Sequence, residues 1–292
     1  RILSSNDSSV GDFLSLLKPR VMSLAVFTSI CGVVLAPQSI HPFFFFISIL
    51  CISIGAGASG AINMWYDRDI DSLMERTKKR PIPIGKVEPL DALGFGVVLS
   101  VISTIVLGLA VNYKAAFLLA FSIFFYIFVY TVWLKRRTSQ NIVIGGAAGA
   151  FPPVIGWVCS ANDISFFPVL LFCIIFFWTP PHFWALAIHR LDDYSKADVP
   201  MLPVQKGVAF TKQHILLYTV LLFVCTLLPY ATELFNEVYL VCAVILGLIF
   251  VYYSYRLLVD DSNSHAMPTF AYSIVFLGAL FSVMLLDFYL YL

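Results

Sequence analysis

The sequence predicts an all-α integral membrane protein, a bundle of nine transmembrane helices around a central cavity. Of its 292 residues, 60% are hydrophobic and only 12% are charged, about half the charged fraction of an ordinary soluble domain. Nine apolar segments are close to the ~20 residues that a membrane-spanning helix needs. The lysines and arginines between these segments gather on one side, and we expect the cavity to open to this basic, cytoplasmic side.

The nine apolar segments follow one another with short connections, and nothing in the composition marks a second folded domain. We therefore expect a polar N-terminal tail at residues 1–19 and a single transmembrane domain at residues 20–292. The apolar segments run over residues 20–37, 43–66, 92–111, 114–134, 141–160, 166–190, 214–233, 237–258 and 268–290.

The loop charges predict how the chain lies in the membrane. With nine spans, every one of the 18 lysines and arginines except Lys114 falls on the side that carries the N-terminus. Such an excess of positive charge marks the cytoplasmic side of a membrane. We expect a bacterial inner membrane with these loops in the cytoplasm, or a mitochondrial inner membrane if the source is eukaryotic. The net charge of +1 gives no sign of a nucleic-acid partner.

An acidic stretch closes the second apolar segment. Asn63, Asp67 and Asp71 recur every four residues, so on a helix each step advances about 40° around the axis and about 6 Å along it. Three oxygen ligands in such a stripe suit a divalent cation that also binds phosphate oxygens. The alternative, a solvated helix end paired with nearby cations, explains Asn63 poorly because it lies inside the apolar run. Asp69 lies on another face and is expected to form a salt bridge.

A second polar stretch follows the sixth apolar segment. His182, His189 and Asp193 fall close to one face if the helix continues as far as Asp193. Because this exit is acidic like that of the second segment, we expect the two patches to face each other across the bundle. Asp192 and Lys196 are four residues apart, and a local ion pair is the simpler explanation for both.

His182 lies well inside the sixth segment, in the stretch 178–184, where two prolines interrupt the backbone hydrogen bonds. A hydrogen-bonded histidine of the protein core is one explanation for a polar residue at this depth. The alternatives are a ligand of a porphyrin iron and a polar contact to an acceptor molecule.

Cations follow both the second and the fourth apolar segments. The positive-inside tendency accounts for any single one of them. Together with the acidic stretches, however, they form the complement of a diphosphate carried by Mg²⁺, and they would stabilise charge that develops on a leaving diphosphate. The cations concerned are Arg76, Lys79, Arg80, Lys135, Arg136 and Arg137.

The first acidic stretch resembles the signature of a known family. Asn63-x-x-x-Asp67-x-x-x-Asp71, followed by Arg76-Thr-x-x-Arg80-Pro, is similar to the first motif of the UbiA superfamily of intramembrane aromatic prenyltransferases. The resemblance covers nearly the whole chain, and it implies the nine-helix fold that the apolar segments predict.

Further motifs resemble, more narrowly, the branch of this superfamily that farnesylates haem. They are the Pro-Pro-His-Phe-Trp run at 180–184, the stretch 193–203 and the stretch 135–157. Many members of the superfamily carry a regular series of aspartates at the end of the sixth span. Here Ala197 stands four residues after Asp193, and Asp198 stands one position further on, so the ligands of a second metal ion stay open.

The resemblance implies an activity, its ligands and its site residues. It implies a Mg²⁺-dependent prenyltransferase that moves the farnesyl group of farnesyl diphosphate to a vinyl group of haem B and adds water, which gives haem O. Asp67, Asp71 and Asp193 would be the catalytic residues, and together with Asn63 they would hold the metal. His182 and His189 are assigned to the haem. The diphosphate is assigned to Arg76, Arg80, Lys135, Arg136 and Lys196.

The resemblance also implies partners, and it leaves two other functions open. Besides membrane lipid, farnesyl diphosphate and haem B, the expected partner is a haem A synthase or an oxidase assembly factor that takes haem O onward. One alternative is a prenyltransferase of the same fold that acts on hydroxybenzoate, naphthoate or chlorin. The other is a transporter, because intramembrane polar residues often mark transport paths, although here the charges gather on one side.

Overall fold

The computed structural model describes residues 8–291, and within them it contains helices and turns but no β-strand. This confirms the all-α prediction. In chain order the helices are α1 (Val10–Leu16), α2 (Pro19–Val34), α3 (Pro42–Tyr66), α4 (Arg68–Leu73), α5 (Pro89–Ala110), α6 (Tyr113–Phe124, continued by a π-helical segment, Phe125–Leu134), α7 (Asn141–Ala161), α8 (Phe166–His189), α9 (Leu191–Lys196), α10 (Leu202–Lys206), α11 (Val208–Ala231), α12 (Glu237–Val259) and α13 (Ala266–Leu290).

Eight of these helices are long and apolar enough to cross a membrane, counting α6 and the π segment as one. The pair α1 and α2, bent by 56° between the two helices, is together long and apolar enough to be a ninth candidate span. Lys18 stands at this bend in the left-handed backbone conformation, with φ of 51°. Pro19 follows as the first residue of α2, where its fixed φ suits the start of a helix. The nine-span prediction is confirmed, with the first span broken at Lys18.

Residues 10–16, within the expected polar tail at 1–19, form the helix α1. Ser9 and Asp12 form a reciprocal capping box that starts α1. Leu16 at the end of α1 is fully buried and packs with Ala61 and Met64 of α3. Residues 1–7 of the expected tail lie outside the described residues. α1 is therefore part of the bundle, because Leu16 packs against α3 and Phe13 packs against Phe95 of α5. Val10 and Leu14, by contrast, are exposed.

Successive spans contact one another around the bundle, and α13 returns to α2 to close the ring. Further contacts cross the ring, including those of α2 along α7 and of α13 along α8. α7 also contacts α3 as well as α8. It therefore lies between the two helices whose C-terminal ends carry the acidic stretches, and it holds those ends in one region of the molecule.

The contact between α2 and α7 depends on two glycines. A Cβ atom added to Gly32 would overlap the carbonyl group of Pro153, and one added to Gly156 would overlap the carbonyl oxygen of Ser29. Small residues at such positions let helix backbones approach in lipid, where apolar surface alone drives little association. The register between the two helices is consequently fixed by backbone contact.

Gly156→Ala is expected to lower the apparent melting temperature of the purified protein, because the added methyl group forces α2 and α7 apart. Overpacking of this kind destabilises by about 1–3 kcal/mol. The matched control is Gly149→Ala on the same helix, since Gly149 faces open space and alanine favours a helix over glycine by about 1 kcal/mol. Equal melting temperatures for the two variants would contradict the backbone contact.

Candidate active site

The acidic stripe (Asn63, Asp67 and Asp71) continues across a break in the helix that carries it. α3 ends at Tyr66, yet the backbone N–H of Asp67 still donates to the Asn63 carbonyl at 2.9 Å, and that of Asp71 donates to the Asp67 carbonyl at 2.8 Å. Asn63, Asp67 and Asp71 are 4%, 0% and 2% exposed, whereas Asp69 is exposed. The predicted alignment of the three residues on one face is confirmed, and that face is turned into the bundle.

A separate cation contacts each member of the stripe. Lys18 donates from its Nζ to Asn63 Oδ1 at 2.9 Å. Lys135 donates to Asp67 Oδ2, and Arg80 donates to the carboxylate of Asp71 at 2.6 Å. The cations come from the α1–α2 bend, the end of the π segment and the loop after α4. Buried carboxylates require such partners because an isolated buried charge is strongly unfavourable.

Asn63 joins the stripe to the π segment. Its Nδ2 donates to Asp67 Oδ2 at 2.6 Å and to Thr131 Oγ1 at 3.2 Å. The Thr131 hydroxyl in turn donates to the Tyr126 carbonyl five residues earlier, a carbonyl that lies at the i−5 distance typical of a π-helix. The wider π turn changes the direction in which every later side chain leaves the helix. Lys135 therefore enters the site at an angle that an α-helical continuation would not give.

Arg136 lies across the exposed side of the stripe. It forms two parallel hydrogen bonds to Asp69, at 2.7 and 2.8 Å, which hold the pKa of the Asp69 carboxyl below its usual value. Its guanidinium also stacks over the Tyr66 ring at 4.9 Å and lies 3.6 Å from Asp67 Oδ1. The expected salt bridge of Asp69 is thus present, and Arg136 bridges the exposed and the buried carboxylates.

A surface depression of about 580 Å³ lies beside this arrangement. Its walls combine two aromatic rings with two guanidinium groups and one carboxylate. The residues that line it are Trp65, Tyr66, Arg68, Asp69 and Arg136. The basic-side surface therefore carries an aromatic and cationic recess next to the buried stripe.

Asp193, in the second acidic stretch, contacts the chain segment that follows the first acidic stretch. It lies on α9 and is 7% exposed, and its Oδ1 accepts a long hydrogen bond of 3.4 Å from the backbone N–H of Glu75. Glu75 comes four residues after Asp71 in the sequence. The two acidic exits thus meet, as the similarity of their sequences predicts, across 118 residues of chain.

Two buried carboxylate oxygens near the stripe have no hydrogen-bond partner, namely Asp67 Oδ1 and Asp193 Oδ2. Buried polar atoms are rarely left this way unless a ligand, ion or water completes them. Within residues 8–291, no three His, Cys, Asp or Glu side chains are close enough together to hold a metal by themselves. Mg²⁺ characteristically uses one or two carboxylates together with water and phosphate oxygens. The donor set fits a Mg²⁺ ion that arrives with a phosphate-bearing ligand.

Two of the cations assigned to the diphosphate, Arg76 and Lys196, do not contact the stripe. Arg76 and Lys196 are exposed, and neither forms an ion pair within the described part of the chain. The local pair proposed for Asp192 and Lys196 is also absent there. Arg76 lies in the loop after α4, and Lys196 is the last residue of α9. The assignment of these two cations to a diphosphate stays a prediction.

The two histidines assigned to an acceptor lie in different surroundings. His182 is 8% exposed, and its Nδ1 lies 2.6 Å from Ser273 Oγ on α13. His189 is exposed at the last turn of α8, after which the chain leaves helical geometry at Arg190. The predicted common stripe of His182, His189 and Asp193 is therefore wrong, because the helix does not continue through Arg190.

Two contributors to the site were missed by sequence reasoning. Lys18 reaches Asn63 only because the chain bends between α1 and α2, and Thr131 depends on the π-helical register. No pattern in the sequence predicted the π-helical segment.

Comparison with known proteins identifies the family. Residues 25–282 match the UbiA prenyltransferase family. The chain is 54% identical to the protoheme IX farnesyltransferase of Rickettsia bellii (strain OSU 85-389) over 287 residues, which cover 98% of this chain and 95% of that protein. It is 53% identical to the protoheme IX farnesyltransferase of Granulibacter bethesdensis (strain ATCC BAA-1260 / CGDNIH1), with 96% and 91% covered.

Solved structures show the same fold at much lower sequence identity. A digeranylgeranylglyceryl phosphate synthase has a TM-score of 0.79 at 18% identity, over 95% of this chain and 98% of its own. A UbiA homologue from Archaeoglobus fulgidus bound to DMAPP and Mg²⁺ has a TM-score of 0.72 at 16% identity, over 94% and 99% of the two chains. The matched region, the near-complete relatives and the shared fold agree, and the chain belongs to the UbiA prenyltransferase family.

Proposed function

We propose that this protein transfers the farnesyl group of farnesyl diphosphate to a vinyl group of haem B, with addition of water, to form haem O and diphosphate. The observation that carries the proposal is the identity of 54% to a protoheme IX farnesyltransferase over nearly the full length of both chains. The buried stripe with its cations supports it, because it offers the ligands that a metal-bound diphosphate needs.

The acidic and basic residues around the stripe have different roles in the proposed binding of the diphosphate. Asn63, Asp67, Asp71 and Asp193 are assigned to Mg²⁺, which would neutralise charge on the diphosphate oxygens. The three carboxylates are not close enough together to hold one ion by themselves, so water and phosphate oxygens would complete its ligand shell. Asp67 Oδ1 and Asp193 Oδ2, which accept no hydrogen bond within the described residues, support this assignment. The cations now paired with the stripe would turn to the phosphate oxygens, joined by exposed cations from the two long loops. The cations assigned to the diphosphate are Lys18, Arg76, Arg80, Lys135, Arg136 and Lys196.

The reaction breaks the bond between the farnesyl C1 and the diphosphate oxygen, and the positive charges stabilise the leaving anion. The allylic carbon then bonds to the vinyl carbon, and water supplies the hydroxyl group and gives up a proton. Trp65, Tyr66 and Tyr194 carry aromatic faces of the kind that stabilise a cation. Tyr194 is buried on α9, whereas Trp65 and Tyr66 are half-buried at the end of α3.

The same proposal gives the protein a place in the cell. The basic loops would face the cytoplasm from a bacterial plasma membrane, with the mouth of the cavity on that side. His182 and His189 are assigned to the haem, and a haem A synthase or an oxidase assembly factor would receive the product. These assignments rest on the loop charges and on the relatives, which are bacterial proteins.

The product mass tests the proposed function directly. After incubation with haem B, farnesyl diphosphate and Mg²⁺, the purified protein is expected to yield the mass of haem B plus one farnesyl group and one hydroxyl group. Hydroxybenzoate, naphthoate and chlorin acceptors, offered with the same donor, are expected to give no product. Transfer to one of them but not to haem B would overturn the choice of acceptor, and flux across vesicles without any transfer would favour a transporter.

Asp67→Asn is expected to lower kcat by roughly 100-fold or more, because metal-ion neutralisation of a leaving group is worth several kcal/mol. The asparagine keeps the size of the side chain, so the protein is expected to purify as a folded monodisperse species. Asp69→Asn is the matched control two residues away, on the exposed side, and should change kcat by no more than a few-fold. Near-normal turnover of Asp67→Asn at saturating Mg²⁺ would refute the metal assignment.

Lys18→Met is expected to raise the KM for farnesyl diphosphate and the inhibition constant of pyrophosphate by about 10- to 100-fold. A hydrogen bond from an ionised donor contributes about 1.5–3 kcal/mol, and Lys18 already points at the stripe through Asn63. Arg20→Met is the control, since Arg20 lies two residues further on and is exposed. The assignment fails if pyrophosphate binds both variants with the same affinity as the parent protein.

A further inference from the structure

The contacts of His182 determine which ring nitrogen carries the proton. The Ser273 hydroxyl donates its single proton to the Phe270 carbonyl at 2.6 Å. The same hydroxyl oxygen lies 2.6 Å from His182 Nδ1, so the nitrogen must be the donor in that contact. The neutral ring is therefore protonated at Nδ1, and its Nε2 carries a lone pair.

The surroundings of His182 favour this neutral ring. Its two faces are covered by Trp178, with ring centroids 4.2 Å apart, and by Phe270 at 4.6 Å. Phe183 packs edge-on at 4.9 Å. No carboxylate contacts the imidazole within residues 8–291, and a buried charge without a partner is costly. Nε2 makes no hydrogen bond within that range, so the ring edge is the part of His182 left for a ligand.

The tautomer restricts what Nε2 can bind. A lone pair needs a hydrogen-bond donor or a Lewis acid, whereas the ionised propionates of haem B are acceptors and its vinyl groups are apolar. The haem iron is the Lewis acid of that molecule, and histidine is a common axial ligand of haem iron. An Nδ1-protonated His182 is thus matched to the iron and mismatched to the propionates.

We infer that His182 Nε2 is an axial ligand of the acceptor haem iron, and that Ser273 is a positioning residue that holds the ring in the ligating tautomer. This inference rests on the proposed function, because it takes haem B as the acceptor. A histidine that binds a metal usually donates its other ring N–H to a fixed acceptor, which orients the ring and raises its basicity. The fully buried Ser273 is such an acceptor.

Ser273 is itself held in place from both sides. Its hydroxyl is tied to the Phe270 carbonyl, and its own backbone carbonyl accepts a hydrogen bond of 2.7 Å from Trp178 Nε1. Trp178 stands one helical turn before His182 on α8 and stacks on it at an angle of 20°. One residue of α13 therefore fixes both the stacking partner and the tautomer of the histidine.

Titration of ferric haem B into the purified full-length protein tests the ligand. The parent protein is expected to show the Soret position and the electron paramagnetic resonance signature of imidazole-ligated haem. His182→Ala should lose that signature, and added imidazole should restore it. If His182→Ala binds haem B with the spectrum of the parent protein, His182 is not the ligand.

Substitution of Ser273 tests its positioning role. Ser273→Ala is expected to weaken haem binding by about 10- to 100-fold, as removal of such an acceptor typically does, whereas Ser273→Thr keeps the hydroxyl group and should restore the parent spectrum. Ser282→Ala is the matched control on α13, because its hydroxyl bonds to the Gly278 carbonyl and touches no histidine. An unchanged affinity and spectrum in Ser273→Ala would overturn this role.

The product mass separates failure of this inference from failure of the proposed function. If the parent protein makes haem O while His182→Ala leaves the haem spectrum unchanged, the iron-ligand inference falls and the farnesyl transfer stands. If the parent protein binds haem B through His182 but forms no farnesylated product, the ligand stands and the proposed transfer falls.

Discussion

Burial of Asp67 and Asp71 in an apolar bundle is tolerable only because positive charge reaches them from outside their own helices. Lys135 arrives from the end of the π segment and Arg80 from the loop after α4, while Lys18 contacts the neighbouring Asn63. A buried carboxylate without such a partner would be costly. The bend of the first span, the π-helical register and the fold of the loop after α4 all serve to bring these cations to one place.

A buried ion pair of this type contributes little net stability but specifies where its members must lie. The cations of these ion pairs could also bind phosphate oxygens, because a phosphate carries negative charge like the carboxylates. Asp67 and Asp193 each keep one oxygen without a hydrogen bond, so the site retains acceptor capacity while its cations are engaged. The side chains that neutralise one another inside the bundle are therefore the same ones that the proposed function assigns to a metal-bound diphosphate.

Much of this structure follows from periodicity and charge. Hydropathy located the spans, and the four-residue spacing placed Asn63, Asp67 and Asp71 on one face because backbone hydrogen bonds continue through the helix break. The positions of His189 and Lys18 were not accessible in this way. A helix end at Arg190 and a left-handed residue at the α1–α2 bend are set by tertiary packing rather than by residue spacing. The π register likewise leaves no mark on the pattern of apolar residues.

The order of the charged residues along the sequence affects how the protein can be synthesised and inserted. A ribosome delivers the N-terminal part first, and the cations that contact the stripe all lie within the first 136 residues, as do Asn63, Asp67 and Asp71. The first half of the protein can therefore enter the membrane with its buried acids already neutralised. Asp193 is synthesised later and joins the site through its hydrogen bond from the backbone N–H of Glu75. Insertion of the early helices need not wait for the late ones, and only the finished chain presents both acidic patches together.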